Sequence, residues 1–280
     1  MTTMIIIFMW GEEMTTAYDF SLIKMYLHIS PEGADHILDE MPAVDFFQPA
    51  RLEDMLRKTG ETVQAIDNQL AGSFFGTSLC NLCITKLYFL SAYNKVLDLS
   101  LDHLLFQIDY EEGHGHAHLG YKINQLITQD IPSENGEAFV LADWEHFIVT
   151  TVRPAVEAIA SAASMKPEMI WQQFGGLAGM MMEFVHAMQL PEQVKDGFNY
   201  HFKLLTESIS LEVFNRKRNP FQWTRRYVAN PLKPDENWVM RSSCCLFDRR
   251  ADGTKCYVCP RMTPEEREVR SKEMLERIPS

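Results

Sequence analysis

The sequence lacks the glycine-rich loops that bind nucleotide phosphates. It contains no Walker-type loop, and the stretch around Gly113 and Gly115 is not a dinucleotide fingerprint, because His118 stands where a third glycine is needed. Cysteine is scarce, with 6 residues in 280, and no basic amino-terminal region of a secretory signal is seen. These absences argue against a disulfide framework and against a nicotinamide bound by the chain itself.

Hydrophobic runs long enough to cross a membrane are also lacking. Residues 4–10 form an apolar run that is too short to span a bilayer, and we expect either an edge strand or an irregular amino terminus there. Residues 73–97 are apolar on almost every side, but Asn81, Lys86 and Lys95 interrupt them. No second span or flanking charge pattern supports insertion, so the sequence predicts a buried central helix and no membrane span.

The charge of the chain is acidic overall but unevenly distributed. The formal net charge is -12, with 46% hydrophobic and 23% charged residues, a composition typical of a globular protein. Residues 216–261 hold eleven Lys and Arg against four Asp and Glu, a local +7 that leaves -19 elsewhere. This region either keeps a polar loop solvated or forms a docking face for an acidic electron donor or an anionic ligand. Nucleic acid is not an expected partner, since no recognised module occurs.

Apolar periodicity predicts a chain made mostly of helices with one β-hairpin. Residues 104–121 alternate as a hairpin does, and Thr263 to Glu266 form a capping box that starts a polar terminal helix. We expect Cys80 and Cys83 in the core, together with a stripe formed by Met180, Met181 and Met182. The helices are predicted at residues 52–70, 73–97, 156–163, 167–186 and 191–205.

Three histidines alternate on the second strand of the predicted hairpin. His114, His116 and His118 share one face of an extended strand. With neighbouring carboxylates they could bind a metal, or they could form a solvent-facing polar edge. Both interpretations stay open on the sequence alone.

Four of the six cysteines lie within one short stretch, as Cys244 and Cys245 followed by Cys256 and Cys259. Cys256-x-x-Cys259 is a zinc-knuckle spacing, whereas two adjacent cysteines in an extended chain point to opposite sides and need a bent backbone to share one ion. A 2Fe-2S cluster suits the adjacent pair at least as well, because it offers two irons to four thiolates. Free buried cysteines and a redox Cys-x-x-Cys are the remaining readings.

The pattern Cys-Cys-x10-Cys-x2-Cys resembles the signature of the FhuF family of siderophore-iron reductases, whose four cysteines hold a 2Fe-2S cluster. Weaker similarities lie upstream. Residues 239–245 resemble the family's Val-Arg-Arg-Thr-Cys-Cys, and Asn219-Pro220 with Trp223 resembles its Asn-Pro-Leu-Trp. Met169-Ile170-Trp171 and Leu97-Asp98-Leu99-Ser100 resemble two further segments, so the likeness covers residues 50–262. Family members often stop soon after the last cysteine, whereas this chain continues to Ser280.

The resemblance implies a cytoplasmic enzyme that reduces the ferric iron of imported siderophores, hydroxamates above all, by one electron. It predicts an α+β fold, mainly helical, with a small antiparallel sheet and a cysteine-rich iron-sulfur loop. Residues 1–215 would form the siderophore-binding body and residues 216–280 the cluster segment, as one compact unit. The external electron donor would be a ferredoxin or a flavin reductase.

Beyond the four cysteines, the resemblance suggests contacts to the substrate or the donor. The histidine strand with His114 and His116 would line the chelate pocket, and nearby arginines would raise the cluster potential or meet the donor. Those arginines are Arg226, Arg241, Arg249 and Arg250. Two other classes remain open, a zinc-ribbon interaction module and a protein related to siderophore biosynthesis.

Overall fold

The computed structural model describes residues 18–111 and 116–277, with only the backbone given for Glu111 and His116. The apolar run at residues 4–10 and the predicted site residue His114 lie outside the described residues. The described chain is mostly helical with small, largely antiparallel sheets, which confirms the predicted α+β class. None of its helices is long and apolar enough to cross a membrane.

Nine α-helices, together with short 3-10 and π-helical turns, account for just over half of the described residues. A π-helix at Ile148–Val152 joins two of them, so the chain from residue 136 to 162 is one continuous helical stretch. The helices are α1 (Ser21–Leu27), α2 (Pro49–Thr62), α3 (Asn68–Tyr93), α4 (Gly136–Phe147), α5 (Arg153–Ala162), α6 (Pro167–Ala187), α7 (Glu192–Glu207), α8 (Leu211–Phe214) and α9 (Pro264–Glu276).

Helix α3 is the buried centre of the fold. It packs against α2, α5, α6 and α7, and Cys80 and Cys83 are fully buried within it, as predicted. The single helix predicted over residues 52–70 is wrong, because Gln64 adopts φ 54° and ends α2. The side chain of Asp67 then accepts a hydrogen bond from the Gln69 amide (3.0 Å) and starts α3.

A small four-stranded sheet covers one side of the helices. The predicted hairpin is confirmed as strands β4 and β5, which pair antiparallel from Leu104 with Ile123 to Glu111 with His116. The sheet order is β1, β5, β4, β2, and only the β1–β5 pair is parallel. The strands are β1 (Ile29–Ser30), β2 (Ile37–Pro42), β3 (Lys95–Leu97), β4 (Leu104–Glu111), β5 (His116–Ile123), β6 (Thr128–Asp130), β7 (Tyr227–Ala229) and β8 (Asn237–Val239).

Glycines on α6 let the carboxy-terminal segment approach the helix closely. A Cβ atom added at Gly175 would lie 2.8 Å from Trp223 Cβ, and one at Gly176 would lie 2.8 Å from Ser242 Cβ, both closer than real side chains pack. The prediction that the methionine stripe lies in the core is wrong for Met180, whereas Met181 and Met182 are half-buried and pack against the core. Met180 is 57% exposed because its face of α6 borders an open cleft rather than a neighbouring helix.

The carboxy-terminal segment is joined to the α2–α3 connection by backbone pairing. The Ile66 amide donates to the Arg249 carbonyl and the Ala251 amide donates to the Gln64 carbonyl, each at 2.9 Å. The terminal helix α9 begins at the predicted capping box of Thr263 and Glu266, and none of its residues is buried.

Candidate metal centre

Tight turns fold the cysteine stretch back on itself. Leu246 takes the left-handed conformation (φ 61°) immediately after the adjacent cysteines, and a short 3-10 turn follows at Phe247–Arg249. At the other end of the loop, the Cys259 amide donates to the Cys256 carbonyl (2.9 Å) in the two-residue knuckle. The adjacent cysteines nevertheless point to different sites, Cys244 toward Cys259 and Cys245 toward a cleft.

Two of the four thiols form a buried pair. The Sγ atoms of Cys244 and Cys259 are 3.6 Å apart, and the residues are 8% and 2% exposed. Two sulfurs on one tetrahedral ion, at a metal–sulfur bond of about 2.3 Å, lie ~3.8 Å apart. The 3.6 Å separation is that of a hydrogen bond between two thiols, and it is also close to the spacing of two ligands on one metal ion. Burial raises the pKa of the Cys259 thiol to about 12.

The other two thiols face a cleft. Cys245 and Cys256 are half-buried, and both line a cavity of about 890 Å³. Burial raises the pKa of Cys256, and the nearby Cys245 acts in the same direction, whereas the Arg241 guanidinium acts against it. The loop therefore presents one buried and one cleft-facing pair of sulfurs.

Hydrogen-bond donors surround the buried sulfur of Cys244. The Leu246 amide lies 3.4 Å from Cys244 Sγ, and Arg261 Nη1 lies 3.8 Å from the same atom. The Asp248 carboxylate is also close, since its Oδ1 accepts from the Cys244 thiol at 3.8 Å and its Oδ2 lies 4.0 Å from Arg261. Donors of this kind stabilise negative charge on a metal-bound thiolate and raise the reduction potential of a cluster.

The structure separates the arginines suggested by the sequence. Arg241 lies beside Cys256 and lines the cleft. Arg249 instead pairs with Asp67, with its Nε 2.8 Å from Oδ2, and so anchors the loop to the start of α3. Arg250 stacks on the Phe247 ring at 4.8 Å, and Arg226 borders a different depression on the surface.

The cleft beside Cys245 and Cys256 lies between α3, α6 and the edge of the sheet. Its walls are mainly apolar, with Glu183 and Arg241 as charged residues of opposite sign. His118 also lines it, and His118 Nδ1 is 2.9 Å from His28 Nε2. One histidine of the predicted strand thus lines this cleft. The apolar side chains at its walls include Phe74, Leu177, Met180, Met181, Phe184 and Phe247.

Two features of the site escaped the sequence analysis. Arg261 was not selected, although it follows the last cysteine by two residues and its charge could have drawn attention. The exposed Met180 of α6 was assigned to the core, since Met at helical spacing usually packs inside. Only the path of the loop across α6 shows that this residue borders a cleft.

The cysteine spacing allows either a zinc ion or a 2Fe-2S cluster, and the positions of the thiols bear on the two differently. Within residues 18–111 and 116–277, no three His, Cys, Asp or Glu side chains are close enough to hold one metal ion. A 2Fe-2S cluster needs two thiolates on each iron rather than four around one point. The buried pair at 3.6 Å, with an amide donor on Cys244, fits that demand at one iron.

Comparisons with known proteins leave the family open. No model of a protein family matches the chain. No curated protein matches it either. The case for a function therefore rests on the cysteine motif and on the geometry of the loop and its cleft.

Proposed function

We propose that this protein is a cytoplasmic ferric-siderophore reductase whose Cys244, Cys245, Cys256 and Cys259 hold a 2Fe-2S cluster. One observation carries the proposal. The four thiols divide into a buried pair and a pair that lines a cleft of about 890 Å³, a size in the range of small-molecule sites. A redox centre held there would be insulated on one side and accessible to a ligand on the other.

The chemistry needs one electron and a way to hold the chelate. When bound, a 2Fe-2S cluster supplies a one-electron carrier. Hard anionic oxygen ligands hold Fe(III) far more tightly than the larger, less charged Fe(II), so adding one electron to the substrate iron loosens the complex. The protein's own side chains have to bring the chelate to the sulfur edge and keep water from it.

The cleft suits a bulky chelate with little net charge. Three hydroxamate anions balance the charge of one ferric ion, so a tris-hydroxamate complex is neutral. The cleft matches it with apolar walls from Leu177, Met181 and Phe184 and with only Glu183 and Arg241 as charged residues. Met side chains are flexible and adapt to irregular ligands. Arg241 also lies beside Cys256, where it favours negative charge on that sulfur.

Replacement of one cleft-facing cysteine tests the proposal. We expect Cys256→Ser protein, purified without oxygen, to lose most of its iron, its visible absorption and its release of Fe(II) from ferric hydroxamates. Cys80→Ala is the matched control, because Cys80 is fully buried in α3 and distant from the loop in sequence. That variant should keep its iron and cost about 1 kcal/mol of stability.

The spectrum of the unchanged protein distinguishes a 2Fe-2S cluster from a zinc-ribbon module. A brown protein that bleaches with dithionite and gives a spin-half signal supports the proposal. Colourless protein with one zinc per chain contradicts it and supports an interaction module. Cys256→Ser protein with normal iron content and activity also contradicts it.

A further inference from the structure

A second functional surface lies on the opposite side of α6 from the cleft. Gly175, Gly179 and Met182 of α6 border a depression of about 980 Å³. Leu177, Met181 and Phe184, which line the cleft, fall on the other face of the same helix. The helix thus separates two concave surfaces that both reach the cysteine segment.

The depression is bordered by three arginines and, among the described residues, by a single carboxylate, Glu207, which pairs with Lys203 at 3.9 Å. Arg218, Arg225 and Arg226 border it and are exposed, and Lys217 is exposed beside Arg218. We call these four residues the arginine face. Residues 216–226 contain five Lys and Arg and no Asp or Glu, in a chain whose net charge is -12. The arginine face is therefore opposite in sign to the protein as a whole.

Most of this charge is not neutralised within the protein. Arg225 pairs with Glu183, and the neighbouring Arg216 pairs with Glu168 at 2.7 Å. In the part of the chain that the structure describes, Lys217, Arg218 and Arg226 make no ion pair. Three uncompensated cations beside the half-buried Trp223 ring form a surface that attracts an acidic partner with an apolar contact at its centre.

The arginine face leads directly to the cysteines. Ser242 borders the depression, two residues before Cys244. A smaller cavity of about 230 Å³ continues from there and is lined by Trp223, Arg225 and Cys245. This cavity shares Arg241 and Cys245 with the cleft, so it joins the two surfaces. A partner on the arginine face would thus approach Cys245 from the side of α6 opposite the cleft.

We propose that the arginine face docks a small acidic one-electron carrier protein, while the chelate occupies the cleft across α6. This inference rests on the proposed function and identifies its electron donor. In each turnover the carrier is oxidised by one electron and the substrate iron goes from Fe(III) to Fe(II). Separate surfaces allow both partners to be bound at once, and charge complementarity speeds their encounter.

Binding measured by calorimetry tests the docking surface without relying on activity. The probe is an acidic plant-type 2Fe-2S ferredoxin in its oxidised form, at low ionic strength. We expect Arg218→Glu with Arg226→Glu to weaken binding at least about tenfold. The milder pair Arg218→Gln with Arg226→Gln should give an intermediate loss. Affinity for the unchanged protein should fall as salt is added, since salt screens exposed charges.

The control reverses the same number of charges elsewhere. Arg51→Glu with Lys272→Glu changes two exposed cations on α2 and α9, and should leave the affinity within about twofold. An equal loss of affinity in this control overturns the docking proposal. Unchanged affinity in the Arg218→Glu, Arg226→Glu variant overturns it too, and so does the absence of binding by the unchanged protein. Dithionite bypasses a protein donor, so failure of dithionite to release Fe(II) would instead refute the proposed function.

Discussion

Arg261 is the residue best placed to adjust the electronic properties of the proposed centre. Its guanidinium Nη1 lies 3.8 Å from Cys244 Sγ, yet half of its side chain is exposed. A positive charge near a metal-bound sulfur stabilises the reduced form of a cluster, which carries one more negative charge. Solvent screening weakens that effect, so its expected size is modest.

Arg261→Gln should lower the reduction potential of the centre by roughly 20 to 60 mV. For one electron, ~60 mV corresponds to about 1.4 kcal/mol, which is the upper size of the interaction expected from a solvent-screened charge near 4 Å. Arg261→Lys should recover part of the loss, since it keeps the charge. A redox titration followed by electron paramagnetic resonance measures the potential, with iron content showing that the centre is intact. Arg270→Gln on α9 is the control, and an equal shift there would contradict a specific role for Arg261.

At the residue scale the sequence predicted which residues belong to the site better than it predicted where their side chains lie. The cysteine spacing singled out four thiols and assigned Cys80 and Cys83 to the core, where they lie. It could not show that Cys244 and Cys259 would be the buried pair, because that depends on the left-handed turn at Leu246. Nor could it separate Arg241, which reaches Cys256, from Arg249, which is drawn to Asp67.

At the scale of elements, α6 links the cleft, the arginine face and the loop. Its glycine face allows Trp223 and Ser242 to pack against the helix backbone. Ser242 Oγ in turn donates to the Gln173 carbonyl at 3.4 Å, and Ser73 Oγ donates to the Cys245 carbonyl at 2.9 Å. The position of the cysteine loop is thus set by close contacts with α3 and α6.

Gly176→Ala should therefore displace the loop. The new Cβ would lie 2.8 Å from Ser242 Cβ, so residue 242 and the cysteines after it must move. We expect a loss of about 1 to 3 kcal/mol in the free energy of unfolding, measured by urea denaturation, and a lower iron content.

Gly60→Ala is a matched control on another helix. Its Cβ would meet only Ala65 Cβ at 3.5 Å, an ordinary contact, and alanine favours helix. That variant should be unchanged or up to about 1 kcal/mol more stable. Full iron content and unchanged stability in Gly176→Ala would show that the loop does not depend on this contact.

Elements were predicted well where one periodicity held over a long stretch. Helices α6 and α7 and the β4–β5 hairpin lie close to their predicted ranges. The helix predicted over residues 73–97 is displaced, because α3 spans Asn68–Tyr93 and residues 95–97 form β3. The prediction over residues 52–70 was wrong because local backbone chemistry, the turn at Gln64 and the cap at Asp67, overrode a continuous apolar stripe. Met180 was predicted to lie in the core because periodicity identifies the apolar face of a helix. It does not show whether another element packs on that face.

At the scale of the whole molecule, the cysteine segment is attached to the helical body at the connection between α2 and α3. Residues 64–67 pair with residues 249–251 through two backbone hydrogen bonds of 2.9 Å. Asp67 both caps α3 and pairs with Arg249. The buried thiols also share an apolar cluster with Val63 and Leu70 from the α2–α3 region. These contacts join the described part of residues 216–280 to the helical body, and the division of the chain at residue 215 stays a prediction.

Loss of the proposed cluster and unfolding of the helices should therefore occur together. In anaerobic urea titrations we expect visible absorption and far-ultraviolet circular dichroism to give the same midpoint, since α3 begins at the attachment point of the loop. Removing the iron should lower the free energy of unfolding by on the order of 3 kcal/mol, because a group bound only by the native state stabilises it. If the colour disappears well before the helical signal, with stability unchanged by iron removal, the segment 216–280 is an independent unit.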